Sequence, residues 1–79
     1  MNKNIKIYST PSCAYCKMAK EFFKENNFQF EDIDVIKDEK ARNEMFEKSN
    51  QKGVPVIDID GEIYVGFNRA ALREALKLK

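Results

Sequence analysis

The chain has 79 residues, 43% of them apolar, enough for one hydrophobic core and too few for two, so a single globular domain over residues 1–79 is expected. Its 14 basic and 13 acidic side chains are interspersed and leave a formal charge of +1, which excludes the basic face that general nucleic-acid binding uses. No apolar run approaches the roughly 20 residues of a membrane span, and Met1-Asn2-Lys3-Asn4 leads into a strand with no apolar signal region, so a cytoplasmic protein is expected.

Ile5-Lys6-Ile7-Tyr8 reads as a short first strand. Ser9-Thr10-Pro11 turns the chain, and a strongly periodic helix then runs to about Asn26, with Ser12 or Thr10 as its N-cap. Met18, Ala19, Phe22 and Phe23 fall at i, i+1, i+4 and i+5, one apolar stripe to lay on a sheet. Lys17, Lys20, Glu21, Lys24 and Glu25 are expected to point to solvent, and Asn26-Asn27 suits the left-handed conformation that ends a helix. Residues 28–33, Phe-Gln-Phe-Glu-Asp-Ile, read as a second strand, partly alternating and so at a sheet edge. A strand, a crossover helix and a second strand imply parallel pairing.

Asp38 is expected to cap a second helix over residues 39–49, with a thin apolar face of Ala41 and Met45 and with Phe46 at its margin. Two β-rich runs, 54–59 and 62–65, flank Asp60-Gly61, the signature of a type I′ hairpin and hence of an antiparallel pair. Gly66-Phe67 turns the chain, and Asn68 caps a last helix over about 69–78 with Ala71, Leu72, Ala75 and Leu76 inward. The predicted order is βαβαββα. Pro55 is tolerated at the start of its strand because its missing N–H is not needed there. The sharper reading of Pro55 is a cis bond after Val54 that exposes the Val54 backbone to an extended thiol substrate, although only about 5–6% of X–Pro bonds are cis.

Both cysteines lie in Ser12-Cys13-Ala14-Tyr15-Cys16-Lys17, where the first helix opens. Thiols three residues apart on a first helical turn are close enough to form a disulfide. Free backbone N–H groups and the positive end of the helix dipole favour a thiolate at Cys13. Cys16, a turn further in, is expected to be shielded and to stay a thiol until needed. Cys13 is therefore the expected attacking sulfur and Cys16 the resolving one. Lys17 either adds positive potential at the sulfurs or is merely exposed. A structural crosslink over so short a loop would constrain the unfolded chain little and is out of place in a reducing cytosol. Zinc takes about four ligands, and the chain has two Cys and no His, so a zinc or iron–sulfur module would need carboxylates, glutathione or a second subunit. No metal ligand is assigned.

Ile5-Lys6-Ile7-Tyr8-Ser9 leading to Cys13-Ala14-Tyr15-Cys16, then Gly53-Val54-Pro55-Val56, then Gly66-Phe67-Asn68, resembles the glutaredoxins. The resemblance is nearest to the short bacterial glutaredoxin-like redoxins of the dithiol CxxC type and covers essentially the whole chain. It implies a thioredoxin fold, an α/β architecture with a four-stranded mixed sheet of order 2-1-3-4 and helices on both faces. The cysteine loop, the Val54-Pro55 loop and the Gly66 turn would meet at one edge, with Pro55 cis. Tyr15 would wall the thiol groove, and the Gly66-Phe67-Asn68 turn would offer backbone N–H groups to a glutathione γ-glutamyl carboxylate; ordinary packing is the alternative for Tyr15 and Phe67. The resemblance further implies a monomeric thiol–disulfide oxidoreductase with no bound cofactor, glutathione as co-substrate and a disulfide-containing client protein as partner.

Several positions depart from the family's pattern. Ala14 stands where dithiol glutaredoxins have proline, and Thr10 where many have a lysine that grips glutathione's glycine carboxylate. Gly53 replaces a common threonine, Val65-Gly66 a double glycine, and Asn68-Arg69 an acidic pair that holds the glutathione amino group. These altered grips modestly favour re-reduction by a thioredoxin-reductase-like flavoprotein over re-reduction by glutathione.

Overall fold

The alternating faces of the first strand set the layers of the molecule. The structure, a computed structural model, describes residues 4–77. In β1 (Ile5–Ser9), Ile5 and Ile7 enter one core and Tyr8 enters a second core on the opposite face. The first core is filled from α1 (Ala14–Glu25) by Ala19, Phe22 and Phe23 and from α3 (Arg69–Ala75) by Leu72. The second core is filled from α2 (Glu39–Ser49) by Ala41 and Met45. Between the helices lie β2 (Glu31–Asp34), β3 (Val56–Ile59) and β4 (Glu62–Val65), giving one sheet of order β2-β1-β3-β4. β1 runs parallel to β2, with Ile7 opposite Asp32, and antiparallel to β3, with Ile7 opposite Ile57. β3 and β4 pair antiparallel through a turn in which Asp60 and Gly61 both take positive φ, 51° and 95°, as the two central residues of a type I′ turn must.

Four expectations are corrected. β2 starts at Glu31 rather than Phe28, because Phe28 and Phe30 pack against the α1 core instead of entering the ladder. The Phe28 N–H closes onto the Phe23 carbonyl at 2.9 Å, with Asn27 left-handed at φ 63°. β3 starts at Val56, which leaves Val54 and Pro55 in the preceding loop. Met18 is 43% exposed and drops out of the apolar stripe, which Ala19, Phe22 and Phe23 fill without it. The last helix ends at Ala75 with Leu76 as its C-cap, and Leu78 lies outside the described residues. The capping residues Asp38 and Asn68 stand as expected, accepting from the Ala41 and Ala71 N–H groups at 3.0 and 3.1 Å.

A polar network ties α2 to the sheet. The Tyr8 hydroxyl donates to Glu44 at 2.6 Å, and Lys48 Nζ reaches the Tyr8 oxygen at 2.9 Å and Asp58 Oδ2 at 2.8 Å. Burial pushes the Asp58 carboxyl up, but the Lys48 ammonium and the Gly61 N–H outweigh it and hold that carboxyl below its usual range. A carboxyl depressed in the folded state contributes stability above its unfolded pKa of about 3.9, and loses it as the pH falls through the lower folded value. The gap in urea midpoint between the wild type and Asp58→Asn should therefore be wide at pH 6 and narrow towards pH 3. A gap that does not change with pH would remove Asp58 from the acid response.

Candidate redox site

The site is assembled where β1 ends and α1 begins. Cys13 is itself the N-cap of α1, in extended conformation at φ −87° and ψ 115°, in place of the expected Ser12 or Thr10. Its sulfur accepts the Cys16 N–H at 3.2 Å, doing for this helix what a serine or aspartate oxygen usually does. Its carbonyl accepts the Lys17 N–H at 3.2 Å and its own N–H donates to the Thr10 carbonyl at 3.3 Å, so the loop is fixed on both sides of the thiol. An acceptor in this position sits at the positive end of the helix dipole.

The two thiols are free and unequal. Cys13 is half-buried and Cys16 is wholly buried. Burial pushes the Cys16 thiol up to about 12, reinforced by the neighbouring Cys13 sulfur and opposed by a backbone hydrogen bond with Thr10 and by the charge of Lys20. Lys20, expected to be solvated, is a cation acting on Cys16, and Lys17 is exposed. The sequence signal for Lys20 was its spacing, four residues after Cys16 and so one turn on along the same face.

The Cys13 thiol points at the Val54 carbonyl, 3.9 Å away, and the Val54-Pro55 bond is cis. The Pro55 carbonyl in turn accepts the Gly66 N–H at 2.8 Å. The cysteine loop, the proline loop and the Gly66 turn therefore do meet, and Gly66 takes φ 79°, a conformation L side chains rarely adopt. The same bond occupies the Gly66 N–H, so any offer of N–H groups to a carboxylate falls to Phe67 and Asn68 alone. Phe67 packs edge-on against Phe22 with ring centroids 6.0 Å apart, and the Arg69 guanidinium lies 5.8 Å from both rings. The Asn68 side chain is engaged in capping α3. Tyr15 is 62% exposed between the cysteines.

A cavity of about 480 Å³ opens beside Thr10 and Val54, walled by Ile36 and Phe46 and carrying Arg42 and Lys52. Arg42 Nη1 donates to the Val35 carbonyl at 3.1 Å, and Lys52 Nζ lies 5.8 Å from the centre of the Phe46 ring. Neither cation was foreseen. Lys52 stands two residues before Val54, but Arg42 comes from the middle of α2 and has no local signal in the sequence. Among the described residues no group of three or more His, Cys, Asp or Glu is placed to hold a metal ion. None of the described helices is long and apolar enough to cross a membrane.

A four-stranded sheet of this order, with a CxxC pair at the mouth of its first helix against a cis-proline loop, defines a thioredoxin-fold thiol–disulfide oxidoreductase. Within that class the Glutaredoxin family model matches residues 5–64, and the chain belongs to the glutaredoxin family. It is 52% identical over 73 residues to an uncharacterized glutaredoxin-like 8.6 kDa protein in the rubredoxin operon of Clostridium pasteurianum, covering 92% of this chain and 97% of that one. It is 34% identical over 70 residues to the N-acetyl-S-hydroxy-L-cysteine reductase of Bacillus subtilis, covering 87% and 75% of the two chains. Among solved structures it resembles a mutant of the thioredoxin-like protein BC3987 at TM-score 0.90 and 37% identity, over 96% of this chain and 97% of that one.

Proposed function

We propose that this chain reduces disulfides through a Cys13–Cys16 dithiol/disulfide cycle, with Cys13 attacking first and Cys16 resolving. The asymmetry of the pair carries the assignment: the reachable sulfur is the one at the helix N-terminus, and the other is fully buried and held as a thiol. The thiolate is the nucleophile, and it must be able to meet a foreign sulfur. Cys13 thiolate attacks one sulfur of the substrate disulfide, and the other leaves with the bonding pair and takes up a proton. Cys16 then gives its proton to solvent and attacks Cys13 Sγ. The second substrate sulfur leaves, two electrons have passed to the substrate, and Cys13–Cys16 is oxidised.

The order of events is supported by the way the sulfurs influence each other. The Cys13 sulfur helps to keep Cys16 protonated. Bonding Cys13 to substrate removes that influence on Cys16, while the Thr10 and Lys20 contributions remain. Iodoacetamide at pH 7 should accordingly label Cys13 and spare Cys16 in the native dithiol, read by peptide mass. Labelling of Cys16 first would reverse the roles.

For the electron donor we favour a thioredoxin-reductase-like flavoprotein. The thiol end carries exposed Tyr15, Ile36, Phe46 and Val65, an apolar rim suited to a protein partner. Arg69 stands where an acidic side chain would have met glutathione's amino group. Glutathione remains the second reading because Arg42 and Lys52 line the cavity next to Thr10, where they suit the carboxylate of a small thiol and offset the lysine that Thr10 replaces. The small carboxylate-bearing substrate named for the Bacillus subtilis relative would suit the same two cations. Oxidised protein offered NADPH plus thioredoxin reductase should turn over faster than with glutathione; preference for glutathione would establish the second reading. A dithiol that must be returned to the reduced state suits the cytoplasm.

A further inference from the structure

Lys20 stands one turn beyond Cys16 on α1, and residues at this spacing are neighbours on a helix surface. Its side chain is only 22% exposed, because Nζ is 2.9 Å from Asp32 Oδ2 on β2. The other Asp32 oxygen accepts the hydroxyl of Ser9 at 2.9 Å, and Ser9 is itself buried. Ser9 is the last residue of β1, immediately before Thr10, whose backbone bonds to Cys16. A free surface lysine keeps its rotamer entropy and its charge wanders. This one is paired with Asp32 of β2, which Ser9 of β1 holds in turn, one helical turn from the buried cysteine.

We propose that Lys20, held by Asp32 and Ser9, is a positioning residue for the resolving step, fixing an ammonium beside Cys16 that favours the thiolate attacking the mixed disulfide. The proposal rests on the reading in which Cys13 attacks first. In the step, the Cys16 proton goes to solvent, the Cys16 electron pair forms the bond to Cys13 Sγ, and the substrate sulfur departs with the pair from the bond that breaks. The cation acting on Cys16 is Lys20, on the same helix. Asp32 faces Lys20 from β2, and β1 contributes the uncharged Ser9.

The test is rapid mixing of the reduced, full-length protein with 5,5′-dithiobis(2-nitrobenzoate) over pH 5–9, following release of the coloured thiolate. The first equivalent reports Cys13 attack and depends on reagent concentration. The second reports Cys16 attack and does not. Lys20→Met should leave the first phase unchanged, slow the second, and move its pH dependence upward. Each unit of upward shift leaves tenfold less thiolate, but a more basic thiolate is more nucleophilic with a Brønsted slope of about 0.4–0.5, so the net slowing is about threefold per unit. Lys20→Arg should restore both the rate and the profile. A normal wild-type trace with Lys20→Met superimposed on it would overturn the proposal alone, as would Lys20→Arg behaving like Lys20→Met. A wild type that lacked the second phase would overturn the exchange reading and this one with it.

Discussion

Cys13→Ser should bring disulfide reduction down to the rate of buffer without destabilising the fold. The loss is complete in principle, because a serine hydroxyl neither forms a thiolate nor joins a disulfide, and buried Cys16 does not reach a bulky substrate in its place. The variant should nevertheless be as stable as the wild type or slightly more so. Residue 13 is the N-cap of α1, and serine is among the best residues for that role, accepting the same N–H that the sulfur accepts now. Activity and stability thus part company, which separates a chemical role from a structural one. Turnover of a small disulfide and the urea midpoint, measured on one preparation, decide it. Residual activity within about tenfold of the wild type would mean that Cys13 is not the entry point, since a lost nucleophile costs far more than 1.4 kcal/mol of barrier.

Phe23→Ala should cost about 3–5 kcal/mol of stability, the usual range for deleting a buried aromatic ring. Phe23 is fully buried, meets Phe22 edge-on at 5.5 Å and lies 6.0 Å from Phe30, so its removal opens a hole in the core between α1 and the sheet. A domain of this length has roughly 4–12 kcal/mol in total, at about 0.05–0.15 kcal/mol per residue. The variant should therefore be partly unfolded at 25 °C or sit at a much lower urea midpoint, and its exchange activity should fall with the folded fraction. Met18→Ala on the exposed side of the same helix should change the stability by less than about 0.5 kcal/mol. Equal effects at the two positions would mean that α1 does not rest on the sheet through the Phe22–Phe23 stripe.

What the sequence disclosed was local chemistry. Asp60-Gly61 specified its turn because few residues tolerate two positive φ angles in succession, and Asp38 and Asn68 announced helix starts through their own side-chain oxygens. The CxxC pair, the cis proline and the strand order were legible together because the motifs fell at the spacing of a known family. Phe28 and Phe30 misled because their alternation serves packing under α1 rather than a ladder, and periodicity cannot tell the two apart. Cys13 was passed over as a cap because cysteine is not among the usual capping residues. Lys20 and Arg42 were hidden for another reason: a lysine on a helix reads as solvated until β2 brings Asp32 beside it, and Arg42 shares a cavity with Thr10 and Val54 only through the fold.

The measurement that bears most directly on the exchange cycle is the mass of Cys16→Ser after mixing with a protein or small-molecule disulfide in the absence of other thiols. Cys13 should be recovered as a single, stable mixed disulfide with half of the substrate, because the sulfur that would break it is missing. Cys13→Ser treated alike should carry no adduct. If Cys16→Ser instead turned over normally, or neither variant trapped substrate, the sequence of attack by Cys13 and resolution by Cys16 would be wrong.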